Sequence, residues 1–139
     1  AVNIALELIS RSDALSVIQI GGTLNQQTLC CSGPGAFEML QRMNIDIAVM
    51  SCTGFSEECG FTVGDFQEME LKREIVRKAK KTVMIMDSSK LNRDMPYTFA
   101  QPEDVEILIV DNFCDMGLVE RLRQSGMTVD VVEVPEQPL

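Results

Sequence analysis

Residues 65–90 read DFQEMELKREIVRKAKKTVMIMDSSK, and a change of period inside this stretch decides the fold. Asp65 precedes a helical pattern and Glu68 stands three residues on, the spacing of a capping box, so a helix is expected from about Phe66 to Lys81. At Thr82 the pattern becomes a short apolar run, Thr82–Asp87, of the kind that forms a buried strand. The polar turn Asp87-Ser88-Ser89-Lys90 follows at once. A helix feeding directly into a buried strand is half of a βαβ repeat.

Working outward, the same alternation continues in both directions. Further strand patterns lie at Ser16–Ile20, Ile45–Ser51, Val105–Asp111 and Thr128–Val134. Helical periodicity fits residues 2 to 10, where Ile4, Ala5, Leu8 and Ile9 share a face, and residues 35 to 43 after the Gly33-Pro34 turn. A last helix begins near Asp115 and stops at Gly126, a residue suited to a left-handed C-terminal cap. The expected fold is therefore α/β, a parallel-sheet Rossmann-like core covered by helices. No internal repeat or linker divides the chain, so residues 1–139 read as one domain, with Pro135 to Leu139 trailing from the last strand.

Composition narrows the function. The 139 residues are 45% hydrophobic and 24% charged, enough apolar chain to build a core. Twelve Lys and Arg against 21 Asp and Glu give a net charge of -9, which opposes direct contact of the whole surface with nucleic acid or anionic membrane. Histidine is absent, removing imidazole as base, shuttle or metal ligand. The five cysteines, Cys30, Cys31, Cys52, Cys59 and Cys114, form no Cys-x-x-Cys pair and suit neither a zinc site nor a secreted disulfide framework. Reduced thiols in a cytoplasmic protein are expected, with no metal and no cofactor. No apolar run approaches the roughly 20 residues of a membrane span. The chain opens on Ala-Val-Asn rather than Met, from which an upstream segment is expected.

In open parallel sheets, ligands sit beyond the carboxyl ends of the strands. Those ends carry Gly21-Gly22, Ser51 to Gly54, Asp87 to Lys90 and Asp111-Asn112. The Gly21-Gly22 pair serves either a sharp turn or a close approach of backbone to a ligand. The segment Thr53–Gly64, TGFSEECGFTVG, has three glycines and several hydroxyls leading into the capped helix, either a plain loop or one that can present N–H groups to an anion at a helix N-terminus. Lys90 is placed to neutralise a phosphate or to be a plain surface lysine. Asp87 is placed to hold that lysine, bind a sugar hydroxyl or cap the turn. Glu68 and Lys72, four apart, form a surface ion pair or face the same crevice. Six of the twelve cations lie within Lys72–Lys81, chiefly a solvated helix face, with DNA contact the minority reading.

In order along the chain, Asn3-Ile4-Ala5-Leu6-Glu7-Leu8, Gly21-Gly22-Thr23-Leu24, Gly33, Asp46, Gly54, Gly60-Phe61-Thr62, Glu68-x-x-x-Lys72-Arg73, Asp87-Ser88-Ser89-Lys90 and Asp111 resemble the C-terminal effector-binding domain of the DeoR family of bacterial transcriptional regulators. The match runs over about residues 1 to 115. It implies a sugar-phosphate sensor related in fold to ribose-5-phosphate isomerase and the CoA transferases. It also implies an N-terminal winged helix-turn-helix that binds operator DNA, commonly repressing a sugar-use operon. The resemblance places that domain, and the fold's first strand with its phosphate loop, upstream of Ala1. In this reading a phosphorylated sugar is the effector, Lys90 meets an anionic oxygen, and Gly21, Gly22, Gly54 and Thr62 line the loops. Glu68, Lys72 and Asp87 order hydroxyls or one another, and the intact regulator self-associates to match a two-fold operator.

Two other classes stay in view. A sugar-phosphate isomerase or CoA-transferase-like enzyme would use Glu57, Glu68 and Lys90. The stretch Thr53-Gly54-Phe55-Ser56-Glu57, however, has hydroxyls where isomerases of this fold carry aspartates, and enolisation needs a positioned base. An interaction module with no small ligand would show no stabilisation by sugar phosphates.

Overall fold

Residues 1–135, described in a computed structural model, gather into two compact units, Ala1–Met43 and the remainder from Asn44. The first unit holds helix α1 (Val2–Arg11), the short antiparallel pair β1 (Thr23–Leu24) and β2 (Cys31–Ser32), and helix α2 (Pro34–Gln41). Pro34 occupies the first turn of α2, where its missing N–H costs nothing. Gly22 adopts φ +118°, and a Cβ there would lie 2.4 Å from the Ser32 carbonyl oxygen, so the position requires glycine. The strand expected at Ser16–Ile20 does not form. Its apolar alternation fits a strand, but a strand persists only beside a partner for its backbone groups. No described residue pairs with this segment, and Gln19 bonds instead to the Ile20 carbonyl through its side chain at 3.0 Å.

The second unit contains β3 (Ile45–Met50), β4 (Gly54–Ser56), β5 (Gly60–Val63), α3 (Phe66–Lys78), β6 (Ala79–Ile85), β7 (Tyr97–Ala100), β8 (Ile107–Asp111), α4 (Met116–Gln124) and β9 (Thr128–Val132). Strands β3, β6, β8 and β9 form a four-stranded sheet in that order, parallel throughout, and the helices flank it as a Rossmann-like core. Helix α3 ends three residues before the helical pattern runs out. From Ala79 the backbone pairs with Ile45 and Lys81 pairs with Ile47, so the sheet takes residues that local propensity would leave helical. Gly126, at φ +104°, closes the end of α4 as expected, with Met127 N–H reaching the Leu122 carbonyl at 3.2 Å.

Alternation along the parallel strands sorts the core. Ala48, Met50, Thr82, Met84, Leu108, Val110 and Val129 are buried. The hydrophobic ones share a cluster with Met69 of α3 and Leu118, Val119 and Leu122 of α4. The segment read as a loop, plain or anion-binding, is instead a β-hairpin. β4 and β5 pair antiparallel, β7 adds a third strand, and Phe55, Phe61 and Phe99 stack in the cluster. Hairpin pairing draws in backbone groups that an open loop would offer to a ligand.

Candidate functional site

The carboxyl ends of β3, β6 and β8 share one rim, because adjacent parallel strands end together. At the end of β3, Lys72 reaches from α3 and donates from Nζ to the Ser51 carbonyl at 2.7 Å. The same ammonium pairs with Glu68 at 2.9 Å and lies 5.1 Å from the centroid of Phe99. Both members of the pair are only 14% exposed, so this is an enclosed latch between α3 and β3 and not a surface ion pair. Its N-terminal support comes from Asp65, whose side chain accepts the Glu68 N–H at 2.8 Å. That is one arm of the predicted capping box. The other is missing because the Glu68 carboxylate turns to Lys72.

At the end of β6, Asp87 organises a single 3₁₀ turn over Ser88–Lys90. Its carboxylate accepts the Ser89 N–H at 2.9 Å and its carbonyl accepts the Lys90 N–H at 3.1 Å. Hydrogen bonding from Ser89 holds the Asp87 carboxyl below the usual aspartate range, with the Lys90 charge a smaller aid. The Lys90 ammonium is 3.9 Å from Asp87, a loose pair that leaves its donors accessible to a ligand. The turn is joined to β8 through Asp111, whose Oδ2 accepts from Ser88 N at 2.9 Å and Ser88 Oγ at 3.2 Å.

Cys52 follows β3 and feels the charge of both lysines. Burial pushes its thiol up to about 11, against the opposing pull of the Lys72 and Lys90 ammonium charges. It contacts Met86 Sδ at 3.7 Å and packs as a small hydrophobe. No group of metal-ligating side chains gathers among the described residues.

Of the residues singled out from sequence, Glu68, Lys72, Asp87 and Lys90 border this rim. Gly54 and Thr62 lie in the β4–β5 hairpin, and their contacts there are structural. A Cβ on Gly54 would stand 2.1 Å from the Arg93 carbonyl oxygen. Thr62 is fully buried, its hydroxyl donating to the Gly54 carbonyl and accepting from Met95 N–H, both at 3.0 Å. Gly21 and Gly22 belong to the first compact unit. Sequence places Asp111 at this rim and among the residues of the resemblance but assigns it no individual role. Nothing in sequence pointed to Phe99 beneath the Lys72 ammonium.

Comparison with known proteins bears on the whole chain. Residues 1–112 match the family described as the DeoR C terminal sensor domain. The chain is 31% identical over 126 residues to the HTH-type transcriptional regulator GlpR of Haloferax volcanii, covering 91% of this chain and 49% of that protein. It is 25% identical over 136 residues to the HTH-type transcriptional repressor GlcR of Bacillus subtilis, covering 98% of this chain and 52% of that one. Against the HTH-type transcriptional regulator GolR of Listeria innocua the identity is 27% over 119 residues, covering 86% and 47%. The chain thus spans about half the length of the curated relatives it matches.

Proposed function

Because the chain belongs to the DeoR family, as its C-terminal sensor domain, we propose that it binds a phosphorylated sugar at the rim of the parallel sheet and passes its occupancy to a DNA-binding helix-turn-helix in the intact regulator. The observation that carries this reading is the pair of lysines at adjacent strand ends, one latched and one accessible. Lys90 meets the anionic group, and Asp87, with an acceptor oxygen beside it, takes a sugar hydroxyl. Lys72 and Glu68 hold the floor of the rim, and Gly54 and Thr62 shape the β4–β5 hairpin. Control of DNA affinity follows if the effector binds one arrangement of a symmetric oligomer more tightly than another.

The carboxylates that a sugar-phosphate isomerase would use are engaged elsewhere. Glu57 is held by Arg121 in a two-pronged pair at 2.8 and 2.9 Å, and Glu68 is held by Lys72. This favours sensing over catalysis. The test is thermal unfolding of the intact protein across a panel of pentose, hexose and triose phosphates, with the unphosphorylated sugars as controls. A phosphorylated member should raise the midpoint by mass action and Lys90→Ala should abolish the rise. No shift with any member, or sustained turnover of one that is lost on Glu68→Gln, would refute the sensor reading.

A further inference from the structure

The turn that carries Lys90 has an unusual hydrogen-bond arrangement. Four consecutive amides are engaged: Ser88 N–H to Asp111, Ser89 N–H to the Asp87 carboxylate, Lys90 N–H to the Asp87 carbonyl and Leu91 N–H to the Ser88 carbonyl. Three of those bonds are internal to the turn and fix its shape. Only the Ser88 bond reaches another element, and so only it sets the direction of the turn at that point. The β6–β8 ladder ends with Met86 N–H on the Ile109 carbonyl at 3.1 Å. Two residues further on, the carboxylate of Asp111 takes the place of the next backbone acceptor. Its second oxygen accepts Phe113 N–H at 3.0 Å, which fixes the carboxylate plane from the β8 side. Beyond the turn, Leu91 bridges to Phe55, so both flanks remain anchored without Asp111.

We propose that Asp111 is a positioning residue for ligand recognition: by holding the Ser88 amide and hydroxyl on one oxygen, it aims the turn so that the Lys90 ammonium faces the rim. It touches no ligand itself. The inference rests on the reading that Lys90 meets an anionic group. With the turn's amides engaged, the loop offers no N–H cradle for an anion, and recognition depends on where that one ammonium points.

The experiment uses the intact protein with inorganic phosphate as probe, following binding through backbone amide NMR shifts, and compares Asp111→Ala, Asp111→Asn, Lys90→Ala and the double variant Asp111→Ala with Lys90→Ala. Loss of the brace should weaken phosphate binding about tenfold, as expected for hydrogen bonds to a charged acceptor. Asp111→Asn, with one acceptor oxygen for two sets of donors, should fall between, and it stands in should the alanine variant fail to fold. The double variant should bind no more weakly than Lys90→Ala alone, because a residue acting through another adds nothing once that other is gone. Ser88 amide exchange should quicken in Asp111→Ala while Val83 and Met84 in β6 keep their protection. Wild-type binding by Asp111→Ala alongside loss in Lys90→Ala would overturn the proposal and leave the Lys90 reading standing. Additive losses in the double variant would also overturn it, placing Asp111 on the ligand. Phosphate binding that is absent, or indifferent to Lys90→Ala, would overturn the Lys90 reading and this inference with it.

Discussion

Lys72 carries its charge to a place that water barely reaches, and its three donors meet Glu68, the Ser51 carbonyl and the face of Phe99. Removing one member of an enclosed pair leaves the other charged and desolvated, which costs more than removing both. Lys72→Met should therefore destabilise the protein by about 3 kcal/mol, and adding Glu68→Gln should recover part of the loss. Urea unfolding of the two singles and the double decides it, and strictly additive losses would contradict the latch. The neighbouring Cys52 gives a pH signature. The unfolded thiol ionises near its ordinary value of 9 and the folded one only near 11, so across that window the unfolded chain has released a proton that the folded chain retains. Its contribution is intact below pH 9 and declines as pH rises, by about 1 kcal/mol per pH unit. Cys52→Ala should lose that alkaline slope in chemical denaturation run from pH 8 to 11. The four side chains at the rim were legible from sequence because polar residues at the ends of apolar strands have few other reasons to be there. Their division of labour was not, since only distance separates the latched Lys72 from the accessible Lys90.

At the scale of elements, what sequence shows depends on whether the cause is local. The strands at 45–50, 107–111 and 128–132 follow from β-branched runs, and α3 follows from its cap and period. The antiparallel β4-β5-β7 sheet does not. Its strands are three or four residues long, its composition of Gly, Ser, Cys and Thr resembles a loop, and β7 pairs from more than thirty residues away. Burial of Phe55, Phe61 and Phe99 supplies the driving force that no window reveals. Ser16–Ile20 errs in the opposite sense, an apolar pattern without a described partner strand. Two changes test the supports of these elements. Thr62→Val leaves the Gly54 carbonyl and Met95 N–H unpaired in the interior and should cost about 1 to 3 kcal/mol. Asp65→Ala, which removes a cap at an exposed helix start, should cost about 1 kcal/mol. Thermal unfolding ranks the pair, and a larger loss at Asp65 would contradict this account of the hairpin.

For the molecule as a whole, the net charge of -9 coexists with a dense basic run that is largely occupied. Lys72 is paired with Glu68, Arg77 with Glu74 and Lys80 with Asp46, and Arg73 donates to the Thr98 carbonyl. Such a surface has little left with which to release counterions from a duplex. Fluorescence anisotropy at 0.15 M salt should find no binding of this 139-residue chain to labelled operator-length DNA, whereas the intact regulator proposed above should bind. Tight binding by the chain alone would assign the basic run to DNA. No helix among the described residues is long and apolar enough to cross a membrane.

The fully bonded turn at the end of β6 also bears on time. A loop that must fold over its ligand adds a slow, saturable step to association, seen as a second kinetic phase. Here the backbone is already closed, and only a lysine side chain has to swing, a motion of picoseconds to nanoseconds. On the proposed reading that Lys90 meets an anionic effector, its arrival should be a single phase, first order in ligand, slowed by added salt as the attraction between ammonium and anion is screened. Any lag between occupancy and a change in DNA affinity would arise further along the molecule, after the site has already filled.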